Sequence, residues 1–442
     1  MHKSFNAAKK GSLPELRQLV QMSHLIHSVQ LQDVLELYLG YICEPKSIAD
    51  REQPRISSTK LILDDVVVSR AALATAGLRS CLDNSHQDVM TRKTWISLLQ
   101  THWEHLKYWL RYFTQHYKFS GNVDPEILLE YDCGLSPESL ASRLLHSLVF
   151  NKVPDIAAVA HRDPFVLKLL TYLWLRQDDT IPPRRTRSTC ERWICETSTF
   201  VSDALSHLLA GRPSNLMKPF FDTFDNDFDF LAVSTLQRLS IAIRADSLDD
   251  TLTYSAMVHT LVVPPSSDEK VRLAFLRNGV TKIISESLRF LVNRYDTAKA
   301  QGKVLDENIC WMISICNRMP LTLPVAKQAF HSDFLGSVVY FTTKHVEDKE
   351  NREIVNETLQ NWLPRGMLTY HVLEEIVNAC NRLCADGRMD WEILTAKGLF
   401  ASAWCVFRDN IVERHAAQCL FDRDRAIARL RRSCDQVCVS IL

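Results

Sequence analysis

Apolar residues recur at intervals of three and four along nearly the whole chain, so between turn signals they fall on one face of a helix. One such segment opens at Ser136-Pro137, where serine is a favourable N-cap and proline suits the first turn. Its apolar stripe is Leu140, Leu144, Leu145 and Leu148. Asp163-Pro164 opens another helix in the same way, and alternating strand patterns are scarce. The pattern predicts an all-α protein.

The longest unbroken helical pattern runs from about Gln87 to Lys118 and is apolar almost all round. Its large side chains include Trp95, Leu98, Leu99, Trp103, Leu106, Trp109, Leu110 and Phe113. A helix of this kind is normally buried between neighbouring helices. An exposed aromatic groove for a partner is the alternative interpretation.

The spacing becomes more regular from about Asp229 onward, and it predicts ten further helices. Their expected ranges are Leu231 to Arg244, Leu252 to Val263, Asp268 to Phe275, Val280 to Tyr295, Asp306 to Met319, Pro324 to Phe330, Asp333 to His345, Asn351 to Trp362, Leu368 to Cys384, and Asp390 to Phe407. Short polar stretches join them.

Consecutive amphipathic helices of this kind are typical of a right-handed α-α superhelix, an armadillo- or HEAT-like solenoid, because one helix pair cannot bury its apolar face alone. The stretch Phe275–Val292, in which Gly279 separates two helices, looks like one armadillo unit. Proline-rich stretches at Ile181–Ser188 and Val263–Asp268 interrupt the pattern. The expected organisation is an irregular N-terminal helical region at 1–180, helical repeats at 189–433, and a short tail at 434–442.

Composition adds two constraints. Only 12 of 442 residues are glycine, well below the usual level of about 7%, so few phosphate-binding loops or tight hairpins are expected. Lys plus Arg equals Asp plus Glu at 52 each. A chain without net positive charge lacks the general attraction that drives nucleic-acid binding, so protein partners are expected and nucleic acid is not.

Cysteine usage and hydropathy indicate the compartment. The 13 cysteines are mostly embedded in apolar helical stretches, and free buried thiols are expected at Cys310, Cys316, Cys380 and Cys384. No apolar segment follows the basic N-terminus, and no span of about 18 apolar residues occurs. The expectation is an intracellular protein, cytoplasmic or nuclear, without membrane contact.

Common catalytic signatures are absent, including G-x-S-x-G, G-x-x-x-x-G-K-[ST], G-x-G-x-x-G and H-E-x-x-H. No catalytic residue is assigned, and the binding residues remain unknown. His102 and His105, in the segment His-Trp-Glu-His, have a spacing that would allow both imidazoles to bind one metal. The preferred interpretation is that they flank the polar edge of an aromatic helix.

Two charged runs are candidates for ligand binding. The acidic run Asp222–Phe230 resembles the opening of a calcium loop, but Phe230 and Leu236 stand where an EF-hand needs glycine and glutamate. A solvated connection that caps the helix near Asp229 is expected instead. The basic residues Arg184, Arg185 and Arg187, followed by Ser188, suit phosphate contact or control by phosphorylation, although such loops are usually just solvated.

The C-terminal region has residues with metal-ligand spacing. Cys434 and Cys438 lie four residues apart, after a segment with His415 and Cys419 at the same spacing. Zinc binds thiolates and imidazoles tetrahedrally, but structural sites usually contain tighter C-x-x-C pairs. Cys434 and Cys438 are therefore the candidate ligands of an incomplete metal site.

The segments Trp404–Phe407, Arg414-His-Ala-Ala, Phe421-Asp-Arg-Asp and Arg432–Cys438 resemble the region before the finger in fungal MYND-type zinc-finger proteins. In that family a long, armadillo-like helical body precedes the finger. The resemblance implies that this chain is such a body with the finger itself missing. A MYND finger binds its zinc ions with seven cysteines and a histidine, and only Cys434 and Cys438 occur near the end of this sequence. No cofactor is expected unless a longer form supplies the finger and its zinc.

These observations favour a non-catalytic protein–protein interaction scaffold that presents a helical-repeat surface. One rival is a zinc-binding regulatory protein of the MYND type that is truncated before its finger. The other is an unrecognised enzyme with a pocket between helices, near His102 to His116, where titratable groups would have to converge.

Overall fold

The computed structural model consists of helices joined by turns throughout the residues it describes, which are 2–23, 28–43, 66–82, 89–115, 137–175, 200–210, 217–263, 268–302, 305–343, 349–396 and 398–439. The predicted all-α class is confirmed for these residues. The chain forms two compact units, Met1–Asp227 and Phe228–Leu442. The boundary predicted near Ile181–Ser188 lies outside the described residues.

The first unit contains ten helices among its described residues. They are α1 (His2–Lys9), α2 (Leu13–Gln21), α3 (Ser28–Ile42), α4 (Val66–Leu82), α5 (Val89–Gln115), α6 (Pro137–Val149), α7 (Pro154–Arg162), α8 (Pro164–Leu175), α9 (200–209) and α10 (Lys218–Asp222). Helix α5 packs against α3, α6, α7 and α8, so it is surrounded by four helices of this unit.

The aromatic stripe of α5 is buried, as its pattern predicts. Trp95, Trp109 and Phe113 are almost wholly inaccessible to solvent. Asp163 ties this helix to α8: its carboxylate accepts hydrogen bonds from Trp103 Nε1 at 2.7 Å, Lys107 Nζ at 3.1 Å and the Phe165 N–H at 2.8 Å. Partial burial acts to raise the pKa of Asp163, but these bonds hold that pKa below its usual value.

Gly77 allows α4 to approach α3 closely. A Cβ at Gly77 would lie 2.4 Å from the ring of the buried Tyr38, whereas a Cβ at Gly40 on α3 would meet nothing within 4 Å. We therefore expect Gly77→Ala to lower the free energy of unfolding by about 2 kcal/mol through overpacking. Gly40→Ala should raise it by about 0.5–1 kcal/mol, because alanine favours the helix. Urea denaturation followed by circular dichroism measures the stability of both variants. If both substitutions stabilised the protein, the close contact between Gly77 and the Tyr38 ring would be contradicted.

The second unit begins at Phe228. Its helices are α11 (Phe228–Arg244), α12 (Leu248–Val262), α13 (Glu269–Arg277), α14 (Val280–Ala300), α15 (Asp306–Asn317), α16 (Leu323–His331), α17 (Phe334–Thr343), α18 (Lys349–Glu357), α19 (Leu363–Gly366), α20 (Tyr370–Ala385), α21 (Trp391–Ala396) and α22 (Ala401–Val439). A π-helical segment, Thr358–Trp362, joins α18 to α19.

Helices three places apart in this unit pack against each other. Helix α11 packs on α14 and α14 on α17, while α12 packs on α15 and α15 on α18. The predicted junction at Gly279 is confirmed: α13 ends at Arg277, Gly279 has a left-handed φ of 77°, and α14 begins at Val280. Only glycine adopts this conformation without steric cost, so Gly279 ends one helix and starts the next.

The π-helical segment has a local cause. Pro364 has no N–H to donate to the carbonyl of Gln360, and its ring would clash with that carbonyl in a regular helix. The wider turn at Thr358–Trp362 relieves this conflict. Asn317 supports it from α15, since its Nδ2 donates to Ile354 O at 3.2 Å and its Oδ1 lies 3.0 Å from the Thr358 hydroxyl.

Two predictions about this unit need correction. The range Asp390 to Phe407 is predicted as one helix, but it is divided into α21 and α22 around Gly398, whose φ is 139°. Cys310, Cys316 and Cys380 are buried free thiols as expected, whereas Cys384 is exposed. None of the helices in the described part of the chain combines the length and apolar character needed to cross a membrane.

Candidate functional site

A groove of about 520 Å³ lies within the second unit. Three stretches contribute to it: helix α13, the turn that follows α15, and the end of the π-helical segment with α19. The lining residues are Glu269, Arg272, Leu273, Leu276, Asn317, Arg318, Met319, Pro320, Leu321, Trp362, Arg365 and Gly366. Arginine and apolar side chains predominate.

Trp362 and Gly366 hold two sides of this groove together. The Trp362 indole N–H donates to Met319 O at 2.8 Å, and its ring makes an edge contact with Phe334 at 5.4 Å between centroids. A Cβ at Gly366 would lie 2.4 Å from Leu321 Cδ2, so glycine allows Leu321 to pack directly on the backbone. The turn after α15 is therefore fixed against α19.

The charge of the groove is predominantly positive. Arg272 lies 3.7 Å from Glu269, but both side chains are substantially exposed, so this ion pair is weak. Arg318 and Arg365 are exposed, and neither guanidinium forms an ion pair with any carboxylate in the described part of the chain. Two arginines are thus available to a ligand beside apolar side chains.

His259 lies close to Arg318 but does not add a proton-transfer group to the groove. Its ring stacks on Trp311, with centroids 5.2 Å apart and 20° between planes. Burial, and secondarily the charge of Arg318, lowers the pKa of His259 to about 4. The imidazole is therefore neutral at physiological pH.

His102 and His105 lie on α5 as predicted, and the structure brings Cys43 to them. The Cys43 thiol is 3.1 Å from His102 Nδ1, and the two imidazole centroids are 6.4 Å apart. Burial raises the pKa of Cys43, while burial and the neighbouring His105 lower the pKa of His102. The expectation that the histidines only flank a polar edge missed the third side chain. Cys43 is 59 residues from His102, and no local pattern links them.

The acidic run is solvent-exposed at the start of a helix, as expected, and Asp229 in addition contacts a second helix. Asp225 and Asn226 have positive φ in a turn, and Asp229 lies in the first turn of α11. The Asp229 carboxylate accepts hydrogen bonds from Arg277 Nη2 at 2.7 Å and Asn278 Nδ2 at 2.8 Å, and these contacts, led by Arg277, lower its pKa. Asp229 therefore joins the start of α11 to the end of α13. The basic residues Arg184, Arg185 and Arg187, with Ser188, lie outside the described residues.

The C-terminal candidate ligands share one continuous helix, α22. His415 Nε2 lies 4.0 Å from Cys419 Sγ on its exposed surface. His415 and Cys434 are separated along the helix axis by about 28 Å, so a single ion cannot bind both. The side chains of Cys434 and Cys438 lie outside the described set, and their zinc site remains a prediction.

Comparison with known proteins assigns no relative to this chain. No protein-family model, curated protein or solved structure matches it. The resemblance to MYND-type proteins therefore remains a prediction, and the function is argued from the geometry of the described residues.

Proposed function

We propose that this protein is a non-catalytic interaction scaffold, an armadillo-like α-α superhelix that binds an acidic segment of a partner protein. The binding site is the groove between α13, the turn after α15, and α19. The observation that carries the proposal is the exposure of Arg318 and Arg365, which have no carboxylate partner among the described residues. We place this function inside the cell, in the cytoplasm or nucleus, where 13 thiols stay reduced.

The packing of the second unit supports the superhelix. Six consecutive helices can be divided into two groups of three. In the first group a short helix, α13, precedes the longer α14 and α15, and in the second the short α16 precedes α17 and the segment that begins with α18. Contacts between helices three places apart would follow if each group of three were one repeat stacked on the next. Stacked repeats provide an extended surface on which a flexible segment can bind.

The lining of the groove supports an acidic segment with apolar side chains. Carboxylates of the partner would accept charge-assisted hydrogen bonds from Arg318 and Arg365. One arginine guanidinium can donate two such bonds to the same carboxylate. Leucine-sized groups would cover Leu273, which is 42% exposed, and Leu276. Charge complementarity of this kind increases the association rate and the specificity.

The same lining favours binding over catalysis. Its only carboxylate is Glu269, and none of its described members is a histidine, cysteine or serine. General acid–base or nucleophilic catalysis requires a positioned pair of such groups. The groove therefore has ligand-holding groups without the groups that make or break bonds.

A direct test uses a short fluorescein-labelled peptide of alternating glutamates and leucines. Fluorescence anisotropy is expected to show binding that weakens as salt rises, because the contacts are partly exposed ion pairs. The double variant Arg318→Glu with Arg365→Glu should weaken binding about tenfold, which corresponds to about 1.4 kcal/mol for the loss of two partly exposed ion pairs worth up to about 1 kcal/mol each.

The matched control is Arg289→Glu, which makes the same change of charge on an exposed arginine outside the groove. It should leave the affinity nearly unchanged, and a peptide with lysine in place of glutamate should not bind. Equal affinity for the two peptides, or an equal loss in Arg289→Glu, would contradict the proposed site.

A further inference from the structure

Three side chains of the types that bind transition metals converge in the first unit. Cys43 directly follows α3, and His102 and His105 lie one turn apart in the middle of α5. One ligand atom from each lies within 4.8 Å of the other two. From this geometry we propose that Cys43, His102 and His105 bind Zn²⁺, with a water molecule in the fourth position.

The spacing fits a tetrahedral ion after small side-chain rotations. Zinc lies about 2.3 Å from sulfur and about 2.0–2.1 Å from nitrogen, which places tetrahedral sulfur and nitrogen ligands about 3.6 Å apart. The observed distance from Cys43 Sγ to His102 Nδ1 is 3.1 Å, and the largest separation in the set is within 4.8 Å. Side-chain rotation alone can make up these differences of about an ångström.

Neighbouring contacts hold the two helices in register around the site. The Trp109 indole N–H, one turn beyond His105, donates to Ile42 O at 2.9 Å, and Ile42 precedes Cys43. On the other side, Trp103, which follows His102, donates to Asp163 at 2.7 Å. The backbone at Cys43 and at His102 is thus fixed by an adjacent residue, and a preorganised site loses less entropy when the ion binds.

The donor set selects the metal. One thiolate and two imidazoles suit zinc and other late first-row ions, whereas calcium and magnesium require oxygen ligands. Three protein ligands leave one coordination position, and His105 is exposed, so solvent reaches the cluster. Among the described residues the group has only these three members, and the nearby Glu104 carboxylate instead forms an ion pair with Lys107 at 2.6 Å.

The test uses the 442-residue chain, stripped with chelator, reloaded with one equivalent of Zn²⁺ or Co²⁺, and freed of unbound metal by gel filtration. Elemental analysis should give one zinc per chain, and the cobalt form should show a thiolate-to-cobalt charge-transfer band. Cys43→Ser should abolish that band. His105→Gln, at an exposed position that does not disturb packing, should weaken zinc affinity about 100-fold or more, as expected for a directly bound ligand.

The control is the double variant Cys434→Ser with Cys438→Ser, which removes the pair of cysteines that the family resemblance singles out. It should retain one zinc and the cobalt spectrum. The proposal is overturned if Cys43→Ser keeps the parent's zinc content, if the cobalt form lacks the thiolate band, or if the parent fails to retain one equivalent. None of these outcomes depends on peptide binding in the groove, so the two proposals fail separately.

Discussion

Replacement of Trp362 by alanine is expected to lower the free energy of unfolding by about 4 kcal/mol, because it removes the largest side chain that lines the groove. That side chain is only 5% exposed and makes an edge contact with Phe334. Its indole N–H is the hydrogen-bond donor to Met319 O, and Met319 is itself buried. Alanine would leave both a cavity and an unsatisfied carbonyl.

Trp362→Phe separates these two contributions. Phenylalanine keeps most of the buried area and the ring contact but cannot donate to Met319 O, so we expect a loss of about 1–2 kcal/mol. Urea denaturation followed by circular dichroism at several wavelengths measures both variants without relying on tryptophan fluorescence. If Trp362→Phe were as destabilising as Trp362→Ala, the packing of the indole would not be the main contribution.

Most helices of the second unit could be predicted because the signals that form them are local. Gly279 ends α13 within the predicted armadillo-like stretch, and Asp268 caps that helix by accepting a hydrogen bond from the Lys270 N–H at 2.7 Å. The apolar spacing then places the helices from Phe228 to Ala385 to within about five residues of their observed ends, whereas α22 continues to Val439, far beyond the predicted end at Phe407. Such signals depend only on neighbours in the sequence.

The failures occurred where a backbone irregularity depends on a single residue. Gly398 separates α21 from α22 with a φ of 139°, although the apolar pattern continues across it. Pro364 forces the π-helical turn before it, although Asn351 to Trp362 has an ordinary helical pattern. An isolated glycine or proline within an apolar helical pattern therefore indicates a break that the pattern alone does not show.

Neither candidate site could be assembled from the sequence. Arg318 and Arg365 lie on separate segments, and Cys43 is 59 residues from His102. Arg318 and Cys43 also directly follow helices, where apolar periodicity no longer determines the direction of a side chain. The pair His102 and His105 was recognised from its spacing, but its third partner depends on the packing of α3 against α5.

His259 should make stability depend strongly on pH between about 7 and 4. Burial first, and Arg318 second, lowers its pKa to about 4 in the folded protein, whereas an unfolded histidine has a pKa of about 6.5. At a pH between the two pKa values, His259 is protonated in the unfolded chain but neutral in the folded protein, so the free energy of unfolding falls as the pH falls. Below the folded pKa both states bind the proton, and the contribution of His259 stops changing. The loss between pH 7.5 and pH 4 should be about 3 kcal/mol.

His259→Phe isolates this contribution, because phenylalanine can keep the stack on Trp311 and has no titratable group. Other groups titrate alike in the parent and the variant, so their effects cancel in the difference. Relative to the parent, the variant should gain about 3 kcal/mol of stability as the pH is lowered from 7.5 to 4, measured by urea denaturation at each pH. If the difference in free energy of unfolding between His259→Phe and the parent did not change with pH, solvent would reach the imidazole, and burial would not hold it neutral beside Arg318.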